Sequence, residues 1–329
     1  MMAIMRNLKP FVGIDLGGTN MQIGVVSHDA KLLAPAKRKT KADEGFDAII
    51  DRMIDGINEA CERAGIAVGT LGGIGIGAPG AVDPTKGVVI EAVNLRWNDV
   101  ALADVLTKRL KVKAFLDNDV NVAVYGEWRL GAGRNCENLL GVWCGTGIGG
   151  GLVLNGKLHY GDFLTAGEIG HTIAIPHMPR GVRSLENNCS RSAVVDRLVR
   201  LLKSNAKSKI SAEVGTDYDK IKSKTLAKYY RGAEKEDKVI CEVVDQTADL
   251  LAISIANVVT LLSLKRVVLG GGLTEALGKA FVARVEEKTK ELVFPPLIGR
   301  DLKIVASELE DNAGVLGAAM IAMDRVNSR

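Results

Sequence analysis

Cysteine is scarce in this chain: five among 329 residues, at Cys61, Cys136, Cys144, Cys189 and Cys241. They are scattered, odd in number and contain no C-x-x-C pair. This argues against a disulfide framework and reads as reduced thiols in a cytoplasmic protein. No run of about 18 apolar residues occurs, so no membrane span is expected. Residues 1–10 carry Arg6 and Lys9 but no apolar segment, and do not read as a secretory signal. Without secretion, the glycosylation sequon Asn188-Cys189-Ser190 carries no weight. An excess of one charge is also missing. The net charge of +4 is small and dispersed, which argues against a nucleic-acid partner. What remains is an ordinary globular composition, 47% hydrophobic and 25% charged, long enough for one large or two moderate domains.

The stretch Phe11 to Val26 organises the rest. It reads as strand, tight turn and strand, a β-hairpin. Gly17 and Gly18 allow positive φ and close approach to the backbone, Thr19 and Asn20 add polar side chains, and Asp15 ends the first strand. Such a turn suits a phosphate, with the carboxylate available to organise magnesium; an ordinary glycine hairpin would also use these residues.

Residues 31–40 predict a third strand turning at Pro35, and residues 44–65 an amphipathic helix stopped by Gly65. Leu71 to Pro79 reads as a buried strand. Its Gly75-x-Gly77-x-x-Gly80 matches the dinucleotide fingerprint, but a turn over Ala81 to Gly87 follows instead of the required helix. Leu102 to Lys111 predicts a short helix and Val112 to Leu116 a strand leading into Asp117-Asn118-Asp119-Val120-Asn121, with a helix from about Val120 to Gly131. Helix capping alone uses one Asp or Asn; this cluster exceeds that need and lies at a strand's carboxyl end, where α/β sheets bind ligands.

Leu139 to Leu158 repeats the strand–glycine turn–strand form through Gly145, Thr146 and Gly147, which suggests an internal duplication able to grip a polyphosphate from two sides. In Ala166-Gly167-Glu168-Ile169-Gly170-His171, a carboxylate and an imidazole three residues apart can converge on vicinal hydroxyls; a structural histidine is the plainer alternative. Residues 190–202 predict a helix, 203–238 exposed Lys-, Ser- and Glu-rich helices and loops, and 239–263 a long apolar helix. A strand at Arg266 to Leu269 then meets Gly270-Gly271-Gly272, where a base or ribose could lie against backbone, and a last helix opens near Asp311.

These motifs, in this order, resemble the ROK family of sugar kinases and related repressors, within the actin/Hsp70/sugar-kinase superfamily. The resemblance runs from about residue 11 to 323: Asp15-Leu16-Gly17-Gly18-Thr19-Asn20, the G-x-P-G-x-V-D turn from Gly77 to Asp83, the N-D-x-N motif, the second glycine turn, A-G-E-x-G-H, the three glycines and the closing helix. It implies a two-lobed, ribonuclease-H-like α/β fold around a cleft, with a small lobe of residues 1–117 plus about 306–329 and a large lobe of residues 118–305. It implies Asp119 as catalytic base. Gly80, Asn94, Asn118, Glu168, His171 and Glu186 would serve the sugar. Asp15, Gly17, Gly18, Thr19, Asn20, Gly145, Thr146, Gly147 and Gly270 to Gly272 would serve ATP and its magnesium.

One segment departs from the pattern. Family members carry a C-G-C-G-x-x-G-C-L-E segment whose cysteines and a histidine hold zinc. Aligned on Leu185-Glu186, this chain has His177, Pro179 and Ser184 at the cysteine positions. Proline and serine cannot replace thiolates in a tetrahedral zinc site, so no structural zinc is expected. The implied activity is ATP-dependent phosphorylation of a hexose, foremost glucose at C6, by a cytoplasmic homodimer. The alternatives are another hexose or N-acetylhexosamine, polyphosphate as donor, or a non-catalytic sugar-binding regulator.

Overall fold

A computed structural model describes residues 9–328. The reading of residues 1–10 as lacking a signal thus falls, but for Lys9 and Pro10, outside the described residues. Contacts divide the chain into two compact units. The first comprises the chain up to Arg134, Tyr160–Thr165 and the segment from Asn312; the second comprises Asn135–His159 and Ala166–Asp311.

The first unit opens with β1 (Phe11–Leu16), β2 (Asn20–Val26) and β3 (Leu32–Lys39), an antiparallel meander. Pro35 does not turn the chain, as the sequence suggests. It pairs with Gly24 inside β3, an edge strand where a missing N–H is tolerated; the irregularity lies between Val25 and Val26. Helix α1 (Phe46–Arg63) follows, then β4 (Gly73–Ala78), which pairs parallel with β1. Ala81 to Gly87 is more than a turn. It contains β5 (Ala81–Asp83), which with β6 (Val88–Ala92) and β7 (Trp97–Val100) forms a small separate sheet. Helix α2 (Leu102–Leu110) leads to β8 (Ala114–Asn118), the last strand of the order β3-β2-β1-β4-β8, and α3 (Asp119–Leu130) starts at the next residue.

A row of glycines in register, Gly24–Gly13–Gly75, crosses this sheet. The closing helix, Ala313–Asn327, lies directly on it: a methyl group on Gly13 or Gly75 would overlap the helix backbone at Val315 or Ala318. Neighbouring strand residues face opposite ways, so Ile14 and Ile23 pack on the other side, where α1 buries Ile49, Ile50, Met53 and Ile57. Helix α3 meets the closing helix equally closely, since a methyl group on Gly126 would lie 2.6 Å from the Ala313 carbonyl oxygen. That backbone-to-backbone contact puts residues 118–134 in the first unit, whereas the sequence reading opens the large lobe at residue 118.

The second unit repeats the scheme. β9 (Leu139–Cys144), β10 (Ile148–Leu154) and β11 (Lys157–Leu158) form an antiparallel meander. After α4 (Leu185–Cys189), α5 (Arg191–Lys203), α6 (Ser211–Val214), α7 (Ser223–Ala227) and α8 (Lys238–Leu262) comes β12 (Arg266–Gly270), parallel to β9. Helix α9 (Gly272–Leu292) and β13 (Lys303–Ala306) complete the order β11-β10-β9-β12-β13. Hairpin, parallel strand, parallel strand: the topology of the first sheet recurs, as the duplicated turn suggests. Residues 203–238, expected to be exposed, contribute to this unit's core instead. Ile210, Val214, Ile221, Leu226, Tyr229 and Tyr230 are buried with Ile240, Val244 and Leu251 of α8. Their spacing is too irregular to show as a period within a lysine-rich stretch. Among the described residues, no helix is long and apolar enough to cross a membrane.

Candidate active site

In the first unit the β1–β2 turn is closed by Gly17 N–H donating to the Asn20 carbonyl, 3.0 Å. Thr40 holds it from β3's end, its hydroxyl donating to Gly17 O at 2.6 Å and its N–H to Thr19 O at 2.8 Å. Asn94 lies against this turn, since a methyl group on Gly18 would sit 3.2 Å from the Asn94 Cβ. Asp15, at the end of β1, faces the start of the closing helix: a methyl group on Gly314 would be 2.5 Å from Asp15 Oδ2. Trp97 is core, buried and edge-on to Phe46 at 5.4 Å.

At the β8–α3 junction Asn118 is the helix N-cap. Its Oδ1 accepts from the N–H groups of Val120 and Asn121 at 2.9 and 3.1 Å, and its Nδ2 donates to Gly80 O at 3.1 Å. Capping therefore does account for Asn118's oxygen; one amide hydrogen remains for another acceptor. Gly80 has φ 86° and no room for a Cβ against Glu91, so the turn geometry alone requires glycine there. Asp119 follows as the first residue of α3, its Oδ1 2.8 Å from Val120 N, with its backbone against Gly77 of β4.

Asp117, just before, is buried and fully occupied. It accepts from Tyr160 Oη at 2.7 Å, Arg325 Nη2 at 2.9 Å, the Asn118 N–H at 3.0 Å and Asn121 Nδ2 at 3.3 Å. Arg325 also donates to the Pro84 and Leu116 carbonyls. Sequence reasoning missed Tyr160 and Arg325, because no spacing rule links a residue near 160 and one near 325 to a strand at 117.

In the second unit the β9–β10 turn is closed by Gly145 N–H donating to Gly147 O, 2.9 Å. The Glu186 carboxylate accepts from the Ile148 N–H at 2.8 Å and lies where a Cβ on Gly147 would be. In the A-G-E-x-G-H motif, Gly167 and Gly170 lie on the backbone of β10: a methyl group on Gly167 would be 2.7 Å from Gly150 O, and one on Gly170 would overlap Ile148 O. This seats Ile169 in the core and leaves Glu168 and His171 outside. His171 Nε2 is 3.9 Å from Glu168 Oε2, with the side chains 73% and 44% exposed. Partial burial raises the Glu168 carboxyl above its ordinary value; His171 opposes this and the like charge of Glu186 adds to it. The structure thus gathers Glu168, His171, Glu186 and the second turn at one place.

The three glycines have separate reasons. A methyl group on Gly270 would be 2.5 Å from the Trp143 ring, and Gly271 (φ 85°) lies 2.7 Å in the same sense from Cys144 O, so packing on β9 accounts for both. Gly272 faces open space at the start of α9.

The residues at the family's zinc positions do not fit a metal. His171 and His177 are exposed, and Cys189, which lies off the cysteine positions, is buried with its Sγ 3.6 Å from Thr247 O and its thiol pushed up to about 12 by burial. Among the described residues no group of three or more His, Cys, Asp or Glu could hold a metal ion. The loop closes through backbone and amide bonds: Ile173 bridges Ser184, Leu185 N–H donates to Thr172 O at 2.9 Å, and Asn188 Nδ2 donates to both Val182 O and Ser184 O at 2.8 Å.

A family model described as the ROK family matches residues 11–325. A glucokinase of Thermotoga maritima is 32% identical over 326 residues, 98% of this chain and 99% of the relative. A glucokinase of Halalkalibacterium halodurans is 29% identical, covering 97% of this chain and 96% of its own. The crystal structure of a ROK family glucokinase from Streptomyces griseus, in complex with glucose and AMPPNP, superposes with a TM-score of 0.83 at 26% identity, covering 96% of this chain and 99% of that one. Sequence order, sheet topology and these matches lead to one conclusion: the chain belongs to the ROK family, with its two-lobed actin-like ATPase fold.

Proposed function

We propose that the protein is an ATP-dependent hexose kinase that phosphorylates glucose at C6. The observation that carries this reading is Asp119, placed where a buried strand meets a capped helix in an N-D-x-N motif. Similarity over nearly the whole chain to glucokinases supports it. A sugar hydroxyl is a weak nucleophile at neutral pH; a positioned carboxylate orients it and accepts its proton as the bond to phosphorus forms.

In this reading the remaining amide hydrogen of Asn118, the backbone at Gly80, and Asn94, Glu168, His171 and Glu186 orient the sugar. Glu168 in its anionic form accepts from a hydroxyl. The turn at Gly17, Gly18, Thr19 and Asn20 and the turn at Gly145, Thr146 and Gly147 serve the phosphates. Gly270, Gly271 and Gly272 serve the adenosine, with Gly272 offering the open surface.

Magnesium supplies charge neutralisation when bound with the nucleotide. Asp15, a hard oxygen donor near the end of β1, would help to hold it. The loop over residues 172–188 keeps its shape without zinc. The protein acts as a cytoplasmic homodimer in sugar breakdown. A coupled assay across a panel of hexoses and N-acetylhexosamines, with ATP and with polyphosphate, tests the reading. Glucose with ATP should give the highest kcat/KM; no phosphoryl transfer to any sugar would refute it.

A further inference from the structure

The β9–β10 turn is tied down through its carbonyls, while the N–H groups of Thr146 and Gly147 at its tip have no protein acceptor among the described residues. The Arg191 N–H donates to Gly145 O at 2.9 Å, and the Ser192 hydroxyl to Thr146 O at 3.2 Å. Both residues belong to the first turn of α5, capped by Ser190, whose Oγ accepts from Ala193 N–H at 3.3 Å. Among the described residues, neither the Thr146 N–H nor the Gly147 N–H donates to a protein acceptor. At this edge Arg191 Nη2 donates to Thr146 Oγ1 at 2.9 Å.

Arg191 has no carboxylate partner among the described residues. Other arginines of this unit do: Arg231 pairs with Asp245, and Arg284 with Asp249. Arg197, two turns along α5, is spent on Asn188 O. Glu186 faces the Ile148 end of the same turn with a negative charge, so a cation is needed at the Thr146 end before an anion is welcome there. One guanidinium hydrogen goes to Thr146; the fork geometry leaves others for phosphate oxygens.

We infer that Arg191 is a phosphate-binding residue of this turn, contacting the polyphosphate chain of the donor nucleotide together with the Thr146 and Gly147 N–H groups. This rests on the kinase reading and adds to it a charged group that no glycine pattern announces. Its ligand is the phosphate chain and not the nucleoside, so it separates ATP from adenosine.

The test uses the full-length enzyme with Arg191→Gln and Arg191→Lys. Loss of a charge-assisted hydrogen bond should raise the ATP KM, and the Kd of a non-hydrolysable ATP analogue by calorimetry, about tenfold in Arg191→Gln, and less in Arg191→Lys. The hexose KM, the inhibition constant of adenosine and the Tm should stay within error of wild type. An ATP KM and analogue Kd within twofold of wild type in both variants overturn the inference, as does equal weakening of ATP, adenosine and hexose together with a lower Tm. A wild-type enzyme that transfers no phosphoryl group contradicts the kinase reading itself; a working wild type with unchanged variants contradicts only the role of Arg191.

Discussion

Arg325 Nη2 stands 2.9 Å from Asp117 Oδ2, joining the closing helix to the end of β8. Asp117's side chain is fully buried, whereas Arg325's is 29% exposed. The pair fixes the strand end from which Asn118 and Asp119 emerge, and Tyr160 seals it from the segment Tyr160–Thr165.

Asp117→Asn should therefore act on stability. It leaves Arg325 short of its counter-charge and Tyr160 facing an amide. Breaking a buried pair costs on the order of 3–5 kcal/mol, and Arg325's exposure brings the expectation to about 2–3 kcal/mol. That corresponds to a Tm lower by roughly 4–12 °C for a domain this size. Thermal denaturation followed by circular dichroism measures it; an unchanged Tm would show that the pair contributes nothing.

Glu168 and His171 should govern the sugar and not the nucleotide. In the proposed site each would make a hydrogen bond to the sugar worth on the order of 1–3 kcal/mol. Glu168→Ala and His171→Ala should raise the hexose KM far more than the ATP KM. Equal effects on both would assign the two residues to folding.

The raised carboxyl of Glu168 also predicts a pH dependence. In the proposed site its useful form is the anion, which accepts a hydrogen bond from a sugar hydroxyl. As pH falls, protonation sets in earlier than for an ordinary glutamate, so the hexose KM should climb at a higher pH. Glu168→Gln should flatten that acid limb. Stability moves the opposite way: a carboxyl raised in the folded state costs stability near neutral pH, and that cost is relieved on acidification. A hexose KM profile that is the same in wild type and Glu168→Gln would remove Glu168 from the limb.

The loop without zinc should depend on Asn188. Its amide holds two carbonyls, so Asn188→Ala should loosen residues 172–188 by on the order of 1–3 kcal/mol and hasten their proteolysis. Dialysis against a chelator should leave wild-type proteolysis unchanged. Elemental analysis finding about one tightly held zinc per chain would contradict the account of this loop.

The strands, the two glycine turns and the Asp119 motif were legible because each is local: a period, a turn residue or a cap within a few positions. Gly65 stops α1, and Asn118 caps α3. Contacts between distant segments were not legible. The Gly24–Gly13–Gly75 row makes sense only once the closing helix lies on it, and Arg325 reaches Asp117 from 208 residues away. Arg191 stood in an ordinary charged helix, and only the turn beneath it shows what it touches. Gly270 and Gly271 read as a ligand surface, while packing on β9 already requires both.

The central claim, that Asp119 is the base of a hexose kinase, is tested most directly by Asp119→Asn. The substitution keeps the shape and the helix position and removes the proton acceptor. The measurement is kcat at saturating glucose and ATP, beside glucose affinity and Tm. The account predicts a fall in kcat of roughly 10²-fold or more, with affinity and Tm near wild type. A variant that keeps most of its kcat would contradict it.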